Sequence, residues 1–479
     1  MEKKFKDSLK DLLSAYFQSV RGKHNFSLED IENSYKIACD YVIHEVKVDI
    51  DNQSQKDEKN FFLEYYKYLF VICKETINPY LNDAFIQEEF KSNLFKNLIQ
   101  LWMYKNELFK NKIFAKKYKD IVEKIFIADF MGFQYFFEYK ITKHNYKKTE
   151  TLFLLGITRL LILNVLKSLN VRFNKFERKV AHYTKVEVAD FIINGDKPFR
   201  MNSTEFMNDP TEGLLVKDFL SLKKVDTYAY QHSFLSCFTF NHNYLNQFRL
   251  YGRTKGLDGT GISLVLNESF FDKLNRFYFN DDEVELDLHI GKNNKLPLFR
   301  CCYFDPKSEY ISIAKRSKFS FFQEFKGQQS ADQIEGYWLE YMDFIKPIEK
   351  DIRESLNFLK LVISDLKKNY YTGDEKVWNI VDDFMKPINY LFKHSAFKEE
   401  EECRIIKVTN LNDKGIKNEL NSDGQTFTYI EYPTELKTAL ANIYIGPASA
   451  KYLTYFKVSL LKKKKKDIKI CVSDNPLRT

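Results

Sequence analysis

The chain has 479 residues, 44% hydrophobic and 16% aromatic, with 44 Phe and 30 Tyr; its length predicts two or three domains, and it has ample material for packed interiors. Its formal charge of +8, from 74 basic and 66 acidic residues, permits nucleic-acid binding without demanding it. The seven cysteines are scattered and lack any Cys-x-x-Cys spacing, which excludes a disulfide framework or a zinc knuckle. No apolar run reaches the roughly 18 residues of a membrane span, so the expectation is a cytoplasmic protein with no membrane partner.

Up to about residue 176 the pattern is helical. Apolar residues return every three to four positions through Phe61-Phe62-Leu63, Tyr65-Tyr66, Tyr68-Leu69-Phe70, Leu94, Leu98, Leu101-Trp102, Ile125-Phe126, Phe130, Phe133 and Phe136-Phe137, and only Pro79 interrupts them. Residues 1–177 therefore read as an all-α domain of stacked helices. It carries no catalytic constellation, and its expected role is to dock a regulator, such as an antitoxin, or a target.

Around residues 174–179 the style changes to short β-prone runs, turns and most of the Gly and Pro residues. Predicted strands are Val180 to Tyr183, Phe199 to Ser203, Ser233 to Phe240, Gly261 to Leu266, Phe299 to Tyr303, Cys403 to Val408, Phe427 to Tyr432, Ala441 to Ile445 and Ile468 to Val472. Predicted helices run from Val186 to Asn194 and from Pro210 to Ser221, and residues 307–392 form a helical insertion. Residues 178–479 thus read as an α+β domain with a mostly antiparallel sheet. The patch Lys462 to Lys466 lies between two apolar runs and is expected to be the loop of a hairpin.

Several segments carry candidate chemistry. His182-Tyr183-Thr184 ends the first strand, and Thr184 with Glu187 reads as a capping box, which leaves His182 unexplained. Asn208-Asp209-Pro210-Thr211-Glu212 has the composition of a turn that opens a helix. Ser233 to Thr239 alternates, so its small polar residues line a pocket or face solvent. In Glu399-Glu400-Glu401-Glu402-Cys403-Arg404, strand alternation would put Glu400, Glu402 and Arg404 on one face, although an acidic run flanking a strand also suits a solvated surface. There is no phosphate-binding glycine loop and no His-Glu-x-x-His pair.

Taken in order, these blocks resemble the bacterial family known as domain of unknown function 2971. They are His182-Tyr183-Thr184, Asn208-Asp209-Pro210-Thr211-Glu212, Ser236-Cys237-Phe238, Phe248 to Tyr251 before Gly259-Thr260-Gly261-Ile262, and Phe397 through Glu400 and Glu402 to Arg404. The likeness covers residues 179 to about 450. It departs from the family at Phe248 and Phe397, where tryptophan is more usual, and in the long insertion. More loosely, the order is similar to that of the ADP-ribosyltransferase superfamily: a histidine on a first strand, a small-hydroxyl strand in the middle and a late glutamate.

The second resemblance implies a split antiparallel sheet holding NAD, with breakage of the nicotinamide–ribose bond through an oxocarbenium-like state. It assigns catalysis to Glu402, on the ribose 2′-hydroxyl, and to Glu400, which would orient the acceptor or take its proton. It places His182, Tyr183, Thr184, Ser236, Phe238 and Tyr251 around NAD. Arg404 would hold the carboxylates ionised or meet a cofactor phosphate, and Asn208, Asp209 and Glu212 would contact substrate. The implied protein is a toxin or anti-phage effector that modifies RNA, DNA or a protein. NAD hydrolysis and a non-catalytic nucleic-acid-binding module are the rivals.

Overall fold

The computed structural model describes residues 26–45, scattered positions within 4–15 and 56–70, and residues 146–476 apart from 174–176, 196–197, 208–211, 223–230, 254–255, 273–294, 370–374, 421–423 and 466. Compactness divides the chain into two units, Met1–Leu160 and Leu161–Thr479.

The described part of the first unit is helical. Helix α1 (Leu28–Glu45) buries Ile31, Ala38 and Val42, a spacing that keeps them on one face. Phe62, Tyr66 and Leu69 are likewise helical and buried. The predicted positions at Leu94, Leu98, Leu101-Trp102, Ile125-Phe126, Phe130, Phe133 and Phe136-Phe137 lie outside the described residues. Helix α2 (Tyr146–Leu169) carries the chain across the division.

The second unit is built on strands β1 (Val180–Thr184), β2 (Phe199–Ser203), β3 (Gln231–Thr239), β4 (Ile262–Leu266), β5 (Phe299–Arg300), β6 (Cys302–Asp305), β7 (Tyr310–Ile313), β8 (Phe392–His394), β9 (Glu402–Asn410), β10 (Ile416–Leu420), β11 (Thr426–Tyr432), β12 (Leu440–Ile445) and β13 (Lys469–Val472). Among the described residues ten strands form one sheet, ordered β10-β11-β2-β3-β1-β4-β12-β13, with β9 on β3 and β5 on β9; β7, β6 and β8 form a second. All pairings are antiparallel except β12 with β13 and β6 with β8. β4 is buried at every position, as expected of an Ile-Ser-Leu-Val-Leu run between β1 and β12. The core gathers Phe199, Phe234, Phe238, Phe270, Ile405 and Ile443.

The feature that positions the site is a fork at β3. One edge of β3 pairs with β9 from Gln231 to Thr239. The other edge pairs with β2 at Phe234 and Leu235 and with β1 at Thr239, leaving Ser236 to Phe238 without a strand partner there. β1 and β2 both run antiparallel to β3, and helix α3 (Val186–Asn194) joins them. The helix buries Val186, Ala189 and Ile193 and turns Val188 and Phe191 outward.

Several local expectations are corrected. Helix α3 starts at Val186 with Lys185 at its N-cap and no side-chain cap, because Thr184 is held in β1 by pairing with Ile262, so no capping box forms. The Pro210 to Ser221 helix contracts to α4 (Leu215–Phe219), with residues 208–211 outside the described residues. The strand predicted at Phe299 to Tyr303 breaks at Cys301, whose N–H donates to Glu402 O and whose carbonyl accepts from Ala314, so its halves join different sheets. Residues 307–392 contain β7 as well as helices α6 (Lys318–Phe325), α7 (Ala331–Asn369) and α8 (Glu375–Asn389). The lysine patch is not a hairpin loop. After the short helix α9 (Leu436–Ala439), Phe456 and Leu460, four residues apart, make the inward face of helix α10 (Leu453–Lys462), which crosses over to β13 parallel to β12.

Candidate functional site

The gap between β1 and β2 opens into a cleft of about 820 Å³ whose wall includes His182, Tyr183, Thr184, Ser236, Phe238, Tyr251, Glu212, Glu400 and Glu402. Residues more than 200 positions apart thus converge because the sheet forks. Asn208 and Asp209 lie outside the described residues, and Arg404 sits beneath the cleft.

At the fork, side chains replace the missing strand. His182 Nδ1 lies 2.9 Å from Cys237 O and Ser236 Oγ donates to Arg200 O at 2.8 Å. A carbonyl only accepts, so Nδ1 carries a hydrogen. Burial lowers the pKa of His182 while its bond to Cys237 opposes the shift; in the neutral ring Nε2 is then an acceptor, on a side chain that lines the cleft. Tyr183 spends its hydroxyl on structure, donating to Asn241 O at 2.8 Å and accepting from Tyr244 N–H at 3.0 Å. Thr184 is buried, and Phe238 packs in the core with one surface on the cleft.

Helix α5 (Leu245–Tyr251) ends on Tyr251. Its position is pinned by Gly252 against Gly261, where a Cβ on Gly252 would stand 2.3 Å from Gly261 Cα. Burial, Glu402 and Glu400 all push the Tyr251 phenol upward, so it remains a neutral hydroxyl against the carboxylates.

The floor is an ion cluster. Lys393 Nζ reaches Glu400 at 2.5 Å, Glu402 at 2.6 Å and Glu212 at 3.3 Å. Arg404 is fully buried and uses all five donors: Nε and one terminal nitrogen on Glu402 at 2.7 and 3.2 Å, a bidentate pair on Glu212 at 2.8 and 2.9 Å, and Tyr390 O at 2.5 Å. Every donor is satisfied inside the protein, so Arg404 holds carboxylates and has none left for a phosphate.

Three carboxylates face two cations, and environment sets Glu402 and Glu400 apart in proton affinity. Burial opposes the charge on Glu402, but Arg404 and then Lys393 outweigh it and hold the carboxyl well below its usual range. Burial pushes Glu400 up; Lys393 opposes this, and neighbouring Glu402 adds to it. Burial also disfavours the Lys393 charge, yet Glu402, Glu400 and Glu212 raise its pKa above that of an ordinary lysine. The result is one carboxyl held as an anion beside one of raised proton affinity, a contrast of the kind acid–base sites use.

Glu400 and Glu402 come together by a different route from the expected one. Glu400 ends a 3-10 turn (Ser395–Glu400), Glu401 adopts a left-handed φ of 45°, and the strand starts only at Glu402. Alternation along β9 does keep Glu402 and Arg404 on one face. The turn is held from several sides: Thr239 Oγ1 and Gln247 Nε2 donate to Glu400 O at 2.7 and 3.1 Å, and the Glu402 N–H donates to Tyr303 OH at 2.8 Å.

Sequence reasoning missed Lys393, Gln247 and Tyr303. Lys393 left a trace, since a lysine directly after Tyr390-Leu391-Phe392 must find an anion if that run is buried. Cys237 is cross-strand from Arg404, and its thiol bonds Glu402; burial and then Glu402 push it well above the ordinary thiol range, which removes it as a nucleophile. Among the described residues no group of three or more His, Cys, Asp or Glu is arranged to hold a metal ion.

No family model, no curated protein and no solved structure matches the chain.

Proposed function

We propose that this chain is an NAD-dependent ADP-ribosyltransferase whose cleft is the fork of the sheet. The observation that carries the reading is Glu402: a buried carboxylate held ionised by Arg404 and Lys393 beside Glu400, whose proton affinity is raised. Cleavage of the nicotinamide–ribose bond builds positive charge on the ribose, and a preoriented anion in a water-poor cleft stabilises that charge as it develops.

In this reading Glu402 accepts from the ribose 2′-hydroxyl. The carboxylate carries two bonds from Arg404, one from Lys393 and one from the Cys237 thiol, so the hydroxyl takes the place of the thiol, the weakest of the four donors. Glu400 takes the proton of the acceptor nucleophile, which then attacks the anomeric carbon as nicotinamide leaves with the bonding pair. His182 Nε2 accepts from a ribose hydroxyl, and Tyr251 lies against the nicotinamide ring. Glu212 acts through Arg404 rather than on substrate, since both its oxygens are engaged there. Ser236 and Tyr183 shape the fork. A cytoplasmic toxin or defence effector, with the helical N-terminal region docking its regulator, is the proposed setting.

The test incubates labelled NAD with purified wild type and Glu402→Gln, separately with RNA, DNA and lysate protein, and follows fixed label and free nicotinamide. Label fixed by wild type alone is expected. Free nicotinamide without fixed label would make water the acceptor and the chain a glycohydrolase. No turnover by folded protein freed of any regulator would leave a non-catalytic nucleic-acid-binding module on the same fold.

A further inference from the structure

Helix α3 borders the cleft on one side and a second groove on the other. Val188 and Phe191 line the cleft, while Asn194 joins Tyr455, Val458 and Lys462 of α10 around a groove of about 460 Å³. The two helices are tied together: Tyr455 OH donates to Asp190 at 2.7 Å, Asn194 Nδ2 to Ser459 Oγ at 3.1 Å, and Lys463 Nζ to Ile193 O at 2.7 Å. The groove is therefore a built surface, and α3 contributes to it as well as to the wall of the cleft.

Its chemistry is mixed in a specific way. Phe191 is 57% exposed and Tyr455 49%, two flat apolar groups on adjoining helices. Lys457, Lys462, Lys464 and Lys465 are exposed at or near the end of α10, whereas Lys463 is spent on the carbonyl end of α3. The acids nearby are Asp190, already bonded to Tyr455 and Asn194, with Glu187 and Asp467 at the margins. Exposed rings and exposed lysines on two adjoining helices are the combination that stacks bases and follows a phosphate chain. A lipid surface calls for a broad apolar helix face; on α10 Phe456 and Leu460 are buried in the core, and the exposed Tyr455, Val458 and Leu461 are interleaved with the exposed Lys457 and Lys462.

We propose that the α3–α10 face binds a single-stranded nucleic acid and delivers one of its nucleotides past Phe191 to the cleft as the acceptor. This deepens the transferase reading and rests on it for its meaning, but its test needs no NAD.

Fluorescence anisotropy would titrate the full chain into a labelled single-stranded RNA or DNA 20-mer across a salt series, with the matching duplex and phosphatidylserine vesicles as competitors. The single strand is expected to bind, with affinity falling steeply with salt. Substituting Lys462→Gln, Lys464→Gln and Lys465→Gln together should reduce the log–log salt slope by about 2, at roughly 0.7 per phosphate contact. Phe191→Ala and Tyr455→Ala should each weaken binding about fivefold or more. Glu402→Gln should bind like wild type, so lost turnover and lost binding separate cleanly. An unchanged salt slope in the triple variant, equal binding of duplex with neutral ring substitutions, or competition by vesicles alone would each overturn the proposal.

Discussion

Two buried charge clusters lie in the second unit, and they do opposite things. Glu177 and Arg300 form an ion pair with side chains at most 1% exposed; Arg300 also donates to Ala314 O at 2.6 Å and lies over the Phe240 ring. That pair sets one anion against one cation, lines neither the cleft nor the α3–α10 groove, and fastens the segment before β1 to β5. The Glu212–Lys393–Glu400–Glu402–Arg404 cluster has one carboxylate too many and opens on a cavity. Burial alone thus makes a staple. Burial with an unbalanced charge and access to a cavity makes a site that can exchange protons and stabilise charge.

The largest effect should fall on the staple. Glu177→Gln leaves Arg300 buried without its anion and should cost about 3–5 kcal/mol of stability in denaturant titration, with turnover per folded molecule unchanged. In the cleft the pattern should reverse. Glu402→Gln leaves two carboxylates facing two cations, so stability should change far less, while nicotinamide release falls roughly 10²–10³-fold. Equal stability losses in the two variants would erase the distinction between staple and site.

Proton affinity offers a finer test. As the proton acceptor, Glu400 must be ionised, so the transfer rate should rise with pH through its raised pKa and then level off, and Glu400→Gln should remove that limb from the pH–rate profile. Glu401, between the two catalytic candidates, points away and accepts from Lys315 N–H at 2.6 Å; burial pushes its carboxyl up to about 8. The folded state then holds that proton more tightly than the unfolded chain. Its contribution to stability is complete below about pH 4.5 and is lost as pH rises through about 8. Melting temperature should fall over this window, by the equivalent of about 2 kcal/mol allowing for its partial exposure, and Glu401→Gln should flatten the trend. The smallest effect belongs to the exposed cross-strand pair Lys417–Glu431, where Lys417→Ala should change stability by less than about 1 kcal/mol.

Much of the secondary structure was legible because it is written in local patterns. β2 and α3 fall at their predicted bounds, and β4, β11 and β12 within a residue or so, since alternation and helical spacing report which face each element buries. The errors came where tertiary bonds override a local pattern. Cys301 breaks a strand that reads as continuous, and the Val458 to Leu461 run is helical because Phe456 and Leu460 find the core together.

The sequence by itself determined the chemistry on offer: a histidine at the end of the first strand, a small-residue middle strand, and late glutamates leading to an arginine on the same strand face. It also determined that the chain is a mixed α and β protein whose described N-terminal region is helical. Only the tertiary structure decided how those groups meet. The fork at β3 places residues from β1, β3, β8 and β9 around one cavity, the left-handed turn at Glu401 brings Glu400 back beside Glu402, and Lys393, silent in its own segment, becomes the hub of three carboxylates. Protonation belongs to that second level, because a carboxyl's proton affinity is set by burial and by charges within a few ångströms, and sequence neighbours fix neither.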